Sequence, residues 1–118
     1  MKTLEDLRLR LRQFAADRDW VQFHIPKNLA MAVAGEAGEL VAEFQWLTPD
    51  ESAAVMSDPA AGDAVRGELA DVFIYLARLA DVLGVDLLEA AASKIESNET
   101  RFPVARYRGS ATGSPEPR

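Results

Sequence analysis

The chain has 118 residues, 48% apolar and 27% charged, which suits one compact water-soluble domain and excludes a disordered or fibrous polymer. A formal net charge of −6 argues against non-specific binding to nucleic acid or to an anionic membrane surface, since both require a basic patch. Without cysteine there are no disulfides and no thiolate metal sites; with no signal-like opening and no long uncharged apolar run, a cytoplasmic location is expected.

Thr3-Leu4-Glu5-Asp6 reads as an N-cap with an acid three residues on. Leu4, Leu7, Leu11 and Phe14 then recur at helical spacing, which predicts a first helix to about Asp17. After the aromatic connection RDWVQFHIP, Pro26 suits the first turn of a second helix running to about Trp46. Thr48-Pro49-Asp50 is expected to stop it, and the segment to Gly62, with Pro59 inside it, reads as a mobile loop with room for a helical turn. Asp63 is the expected N-cap of a third helix, whose apolar positions Val65, Leu69, Val72, Phe73, Leu76, Leu79 and Leu83 persist to a stop at Gly84. Asp86-Leu87-Leu88-Glu89 caps a fourth helix that Pro103 ends after Phe102, and the tail GSATGSPEPR is expected to be disordered. No strand-like alternation or internal repeat competes. The expected architecture is all-α, four main helices in one domain over residues 1–104, with residues 105–118 a flexible tail.

Two acidic pairs carry the chemistry. Glu36 and Glu39 share a face of the second helix, and Glu68 and Asp71 share a face of the third at the same spacing of three. Such pairs are usually solvated, but from Leu29 to Leu47 the only charges are Glu36, Glu39 and Glu43, and a helix apolar nearly all round is normally buried. Gly35 and Gly38 each cost that helix roughly 1 kcal/mol relative to alanine, an expense that predicts close approach of another backbone or a ligand. Carboxylates crowded in a low dielectric need a compensating cation. Oxygen ligands alone favour Mg²⁺ or Mn²⁺ over zinc, and a pair of such ions suits in-line displacement at phosphorus.

These pairs, with their flanks RDWVQFHIPKNLAMAVAGEAGELVAEFQWL, ELADVFIYLARLA and SKIESNETRFP, resemble the E-x-x-E … E-x-x-D signature of the MazG-like all-α nucleoside triphosphate pyrophosphohydrolases, in particular the dCTP pyrophosphatase branch. The likeness covers residues 4–103. It implies Mg²⁺-dependent hydrolysis of a nucleoside triphosphate to the monophosphate and pyrophosphate, in a dimer or dimer of dimers. It further implies that Glu36, Glu39, Glu68 and Asp71 are the catalytic metal ligands, that Trp20, Trp46 and Tyr75 line the base pocket, and that Lys94, Asn98 and Arg101 contact triphosphate and sugar. The dCTP-preferring relatives carry a histidine on the first helix where this chain has Leu11, so modified or other deoxynucleotides stay open beside dCTP.

Plainer readings stand beside these. Lys94, Asn98 and Arg101 also suit a helix C-terminus that favours basic residues. Phe23 is expected in the core. His24, Lys27 and Asn28 are expected at most to support the residues in direct contact, and Glu43 is either an outer ligand or the solvent edge of the acidic face. Competing functions are dUTP or phosphoribosyl-ATP hydrolysis, or a non-catalytic helical bundle in which the glutamates solvate an interface.

Overall fold

The protein is described by a computed structural model over residues 1–113, and those residues contain helices and no strand. In chain order they are α1 (Leu4–Asp17), a 3₁₀ turn (Val21–Phe23), α2 (Pro26–Ala42), α3 (Pro49–Ala53), a second 3₁₀ turn (Val55–Ser57), α4 (Pro59–Leu83), α5 (Leu87–Arg101) and α6 (Val104–Tyr107). None is long and apolar enough to cross a membrane. The expected all-α class holds.

Local chemistry sets the ends. Thr3 and Asp6 form the predicted capping box at α1, and Asp86 accepts from the Glu89 amide at the start of α5. Gly84 closes α4 in the left-handed region, φ 69°, which glycine adopts without penalty. Other boundaries depart from expectation. α2 stops at Ala42 and the chain continues in tight turns, Phe44 and Gln45 N–H both donating to Val41 C=O, so Trp46 lies beyond the helix. The segment expected to be a mobile loop is ordered: Thr48 and Glu51 form a second capping box that launches α3. α4 begins at Pro59 with Asp58 as N-cap, five residues before the predicted Asp63, because Asp58 accepts from two amides and Pro59 needs no amide partner at N1. The fixed connection packs on α4, with Met56 backbone atoms 3.4 Å from where a Cβ on buried Gly62 would sit.

Two compact units follow, Met1–Gly84 and a second beginning at Val85. In the first, α4 is the central rod, packed against α2 along much of its length and against α1. Its core is sparse, with Leu7, Ala15, Leu29, Val65, Ala77 and Ala80 as the buried apolar residues, while Met31, Val41, Leu69 and Phe73 stay exposed. Phe23, expected in the core, is also exposed. In the second unit α5 runs into α6, where Phe102 and Tyr107 meet edge to face at 5.0 Å and Ser110 N–H closes a turn on Tyr107 C=O. The tail expected from residue 105 thus begins with helix and turn, while residues 114–118 of it lie outside the described residues.

Candidate functional site

Because α2 and α4 pack side by side, the two acidic pairs face one another. One carboxylate oxygen from each of Glu36, Glu68 and Asp71 lies within 4.8 Å of the others. Glu36 and Glu68 are half-buried and Asp71 is exposed, so the cluster sits at the mouth of the α2–α4 seam. Oε2 of Glu68 is buried with no hydrogen-bond partner among the described residues, a position that costs roughly 1–3 kcal/mol for a polar group unless something fills it. Burial, then the charges of Glu39, Asp71, Glu36 and Glu43, push the Glu68 carboxyl above its ordinary range. None of the ion pairs among the described residues involves these five acids.

That orphaned oxygen, with two further carboxylate oxygens in reach, is what a hard divalent cation fits: three anionic ligands from two rigid helices and a relieved desolvation cost. Glu39 is exposed and stands outside the converging three, yet it leads the charges acting on Glu68. Glu43 acts on the same carboxyl, so it belongs to the acidic face. The close approach expected at the glycines does not come from the described residues, none of which lies within 4 Å of a Cβ built on Gly35 or Gly38.

Farther along α4 a cavity of about 310 Å³ opens between α1, the first connection and α4. Leu7, Leu11, Phe14, Trp20 and Ile74 supply its apolar walls, and Tyr75, His24, Arg10 and Arg78 its polar ones. It is of the size and character of a pocket for a small flat ring. Asp19 turns the chain into it at φ 54°, the left-handed region that Asp tolerates better than most residues, and Trp20 N–H caps Ala15 C=O. The Trp20 ring then meets Phe14 edge to face at 5.7 Å. Trp20 and Tyr75 are therefore together as expected, whereas Trp46, 86% exposed, is no part of this wall because α2 ends four residues before it.

Behind the cavity lies a network that sequence reasoning missed. Arg78 is buried; its Nε donates to His24 Nδ1 at 3.0 Å and its Nη1 to Asp81 Oδ2 at 3.2 Å. Asp81 also accepts from Arg8 and, through two bonds, from Arg12, while Arg8 pairs with Glu5. Hydrogen bonds from Arg12 and then Arg8 hold the Asp81 carboxyl below its usual range. Burial, and then the charge of Arg78, lower the His24 pKa. The sequence carries the alignment of this network though not its burial: Asp71, Tyr75 and Arg78 recur at i, i+4 and i+7, one stripe of α4.

The remaining expected residues divide. Asn28 gives its amide to Phe23 C=O, tying the 3₁₀ turn to α2, which is a structural duty, and Lys27 is exposed. Lys94, Asn98 and Arg101 form their predicted stripe on α5 in the second unit, with Arg101 over the Phe102 ring at 5.0 Å.

Residues 32–112 match the model of the MazG-like family. The chain is 48% identical over 109 residues to dCTP pyrophosphatase 1 of Mus musculus and 46% identical over 109 residues to dCTP pyrophosphatase 1 of Homo sapiens. Both matches take in 92% of this chain but 64% of the relative, so the chain spans less than two thirds of the length of these relatives. A solved pyrophosphatase from Archaeoglobus fulgidus matches with a TM-score of 0.78 at 40% identity, over 84% of this chain and 91% of that one.

Proposed function

The chain belongs to the MazG-like family, and from that premise we propose that it is a Mg²⁺-dependent nucleoside triphosphate pyrophosphohydrolase, acting in the cytoplasm on dCTP or a modified relative and releasing the monophosphate and pyrophosphate. The observation that carries this reading is the convergence of Glu36, Glu68 and Asp71 on one point beside the partnerless Oε2 of Glu68. A bundle whose acids only solvate an interface has no reason to bury an unsatisfied carboxylate oxygen.

Glu36, Glu68 and Asp71 would hold Mg²⁺, or Mn²⁺ in its place, with Glu39 joining from the neighbouring turn. Bound there, the ion supplies charge neutralisation on phosphate oxygens and a more acidic water. In the net reaction the oxygen of a water forms a bond to the α-phosphorus and the bond to the α,β-bridging oxygen breaks, with pyrophosphate as leaving group. The chain's own part is to hold and orient. Trp20 and Tyr75 offer ring faces to the base, and Trp46 supplies a third ring, brought to a pocket by assembly of a homodimer or homotetramer. Triphosphate and sugar contacts are the role that the family resemblance gives to Lys94, Asn98 and Arg101, which share one stripe of α5. The exposed Met31, Val41, Leu69 and Phe73 support such an assembly, because apolar surface left open by one protomer is what a second copy covers.

The test is pyrophosphate release from a panel of deoxynucleoside triphosphates, dUTP and phosphoribosyl-ATP with Mg²⁺. The expected result is hydrolysis of dCTP or a substituted dCTP, lost on removing the metal and reduced about 100-fold in Glu36→Gln. No release from any of them, or an unimpaired Glu36→Gln, overturns the proposal.

A further inference from the structure

Arg78 can only donate hydrogen bonds, so the imidazole nitrogen that faces its Nε at 3.0 Å has to be bare. A neutral His24 then carries its single proton on Nε2, and the ring has one N–H left to give. His24 and Arg78 both line the 310 Å³ cavity. Arg78 commits Nε to His24 and Nη1 to Asp81, and its planar fork has further N–H groups beyond these two. The other polar side chains of the wall, Arg10, Trp20 and Tyr75, donate as well, and among the described residues no carboxylate, amide or aliphatic hydroxyl lines it. Its side chains therefore offer donors and lack a dedicated acceptor.

We infer that His24, its tautomer fixed by Arg78, is the specificity-determining donor of this cavity, reading a nucleobase edge that presents adjacent acceptors. The inference rests on the hydrolase reading above and names which base that reading takes and how. Among pyrimidines, cytosine offers O2 and N3 side by side as acceptors, whereas uracil and thymine place an N3–H donor between their carbonyls and would set donor against donor. The spacing agrees: Asp71 and Arg78 are seven residues apart on α4, about 10 Å along its axis at 1.5 Å per residue. That is the order of the separation between an α-phosphate and the Watson–Crick edge of its pyrimidine. Arg78 acts as a positioning residue as well, because Asp81, itself held by Arg8 and Arg12, fixes the guanidinium that fixes the ring.

The chain contains one histidine, so ¹⁵N-histidine NMR of the unsubstituted protein reads this ring without ambiguity. The expected spectrum at neutral pH has a bare Nδ1 and a protonated Nε2, and saturating dCMP with Mg²⁺ shifts the Nε2–H signal. In parallel, His24→Phe should lower kcat/KM for dCTP about tenfold, mainly through KM, and move the dCTP to dUTP preference toward unity. Arg78→Lys should keep part of that preference and Arg78→Met should lose it. A protonated Nδ1 in the free protein, a dCMP-insensitive ring, or an unchanged base preference in a folded His24→Phe that still hydrolyses triphosphates overturns this inference and leaves the hydrolase reading standing. No hydrolysis of any triphosphate by the unsubstituted chain overturns both.

Discussion

Arg12 and Asp81, sixty-nine positions apart, meet in a two-pronged ion pair, Nε to Oδ2 at 2.7 Å and Nη2 to Oδ1 at 2.9 Å, that pins α1 to the far end of α4. The Arg12 side chain is about half exposed and contributes little by itself, while the Asp81 side chain is 5% exposed and faces three guanidiniums. Asp81→Ala strands the buried Arg78 charge and should cost about 3 kcal/mol in urea unfolding. Arg12→Ala should cost under about 1 kcal/mol.

Acid should act through the same carboxylate. The folded pKa of Asp81 lies below the ordinary value of 3.8, so its stabilisation is complete above that value and is lost as pH falls through the lowered one. Asp81→Asn should therefore flatten the acid end of a stability profile, below about pH 4, relative to the parent. Parallel curves there would contradict the role assigned to Asp81.

Glu68→Gln should make the metal-free protein more stable, not less. The folded state pushes this carboxyl above its ordinary range, so the charged form is disfavoured there, and an amide removes that charge while donating to its acidic neighbours. Mg²⁺ should raise the melting temperature of the parent, and the same variant should lose that response together with any turnover. Melting curves with and without Mg²⁺ decide it, and a Mg²⁺ response intact in Glu68→Gln would exclude Glu68 as a ligand.

Mg²⁺ binding should release protons and weaken as pH falls. Between the ordinary glutamate value of 4.5 and its raised one, Glu68 is substantially protonated in the metal-free chain, and a cation must displace that proton to use Oε2. Titration calorimetry in buffers of different ionisation enthalpy measures the release directly; none on the acid side would contradict the raised Glu68.

Gly35→Ala and Gly38→Ala meet open space in the protomer, so each should raise helix stability by roughly 1 kcal/mol. Each should also lower hydrolysis, because these glycines leave room for a partner or ligand that the isolated chain does not supply. Full activity in both variants would remove the case for close approach along this face.

Each acidic pair was legible because its spacing of three puts Glu36 with Glu39, and Glu68 with Asp71, on one side of its own helix, and the caps at Thr3 and Asp86 were legible because their partners lie three residues away. Two further local signals, Thr48 with Glu51 and Asp58 before Pro59, are equally readable, and Pro49 and Pro59, whose type suggests breaks, are helix starts. Arg78 and Asp81 escaped for a different reason. An i, i+3 pair of opposite charges reads as a solvated helix face, and its burial depends on where α1 and the first connection come to lie, which no local pattern specifies. Trp46 falls beyond α2 because the apolar run of that segment outlasts its helical hydrogen bonds.

The unbroken run of α4 makes Glu68, Asp71, Tyr75, Arg78 and Asp81 graduations on one 25-residue ruler. Hydrogen bonds within the helix hold their spacing, so the distance from acid cluster to ring pocket is a fixed gauge. On the proposed hydrolase reading a nucleotide would be sized as well as recognised: one whose reach from α-phosphate to ring differs by a helical turn would engage either graduation but not both, whatever its charge or aromaticity.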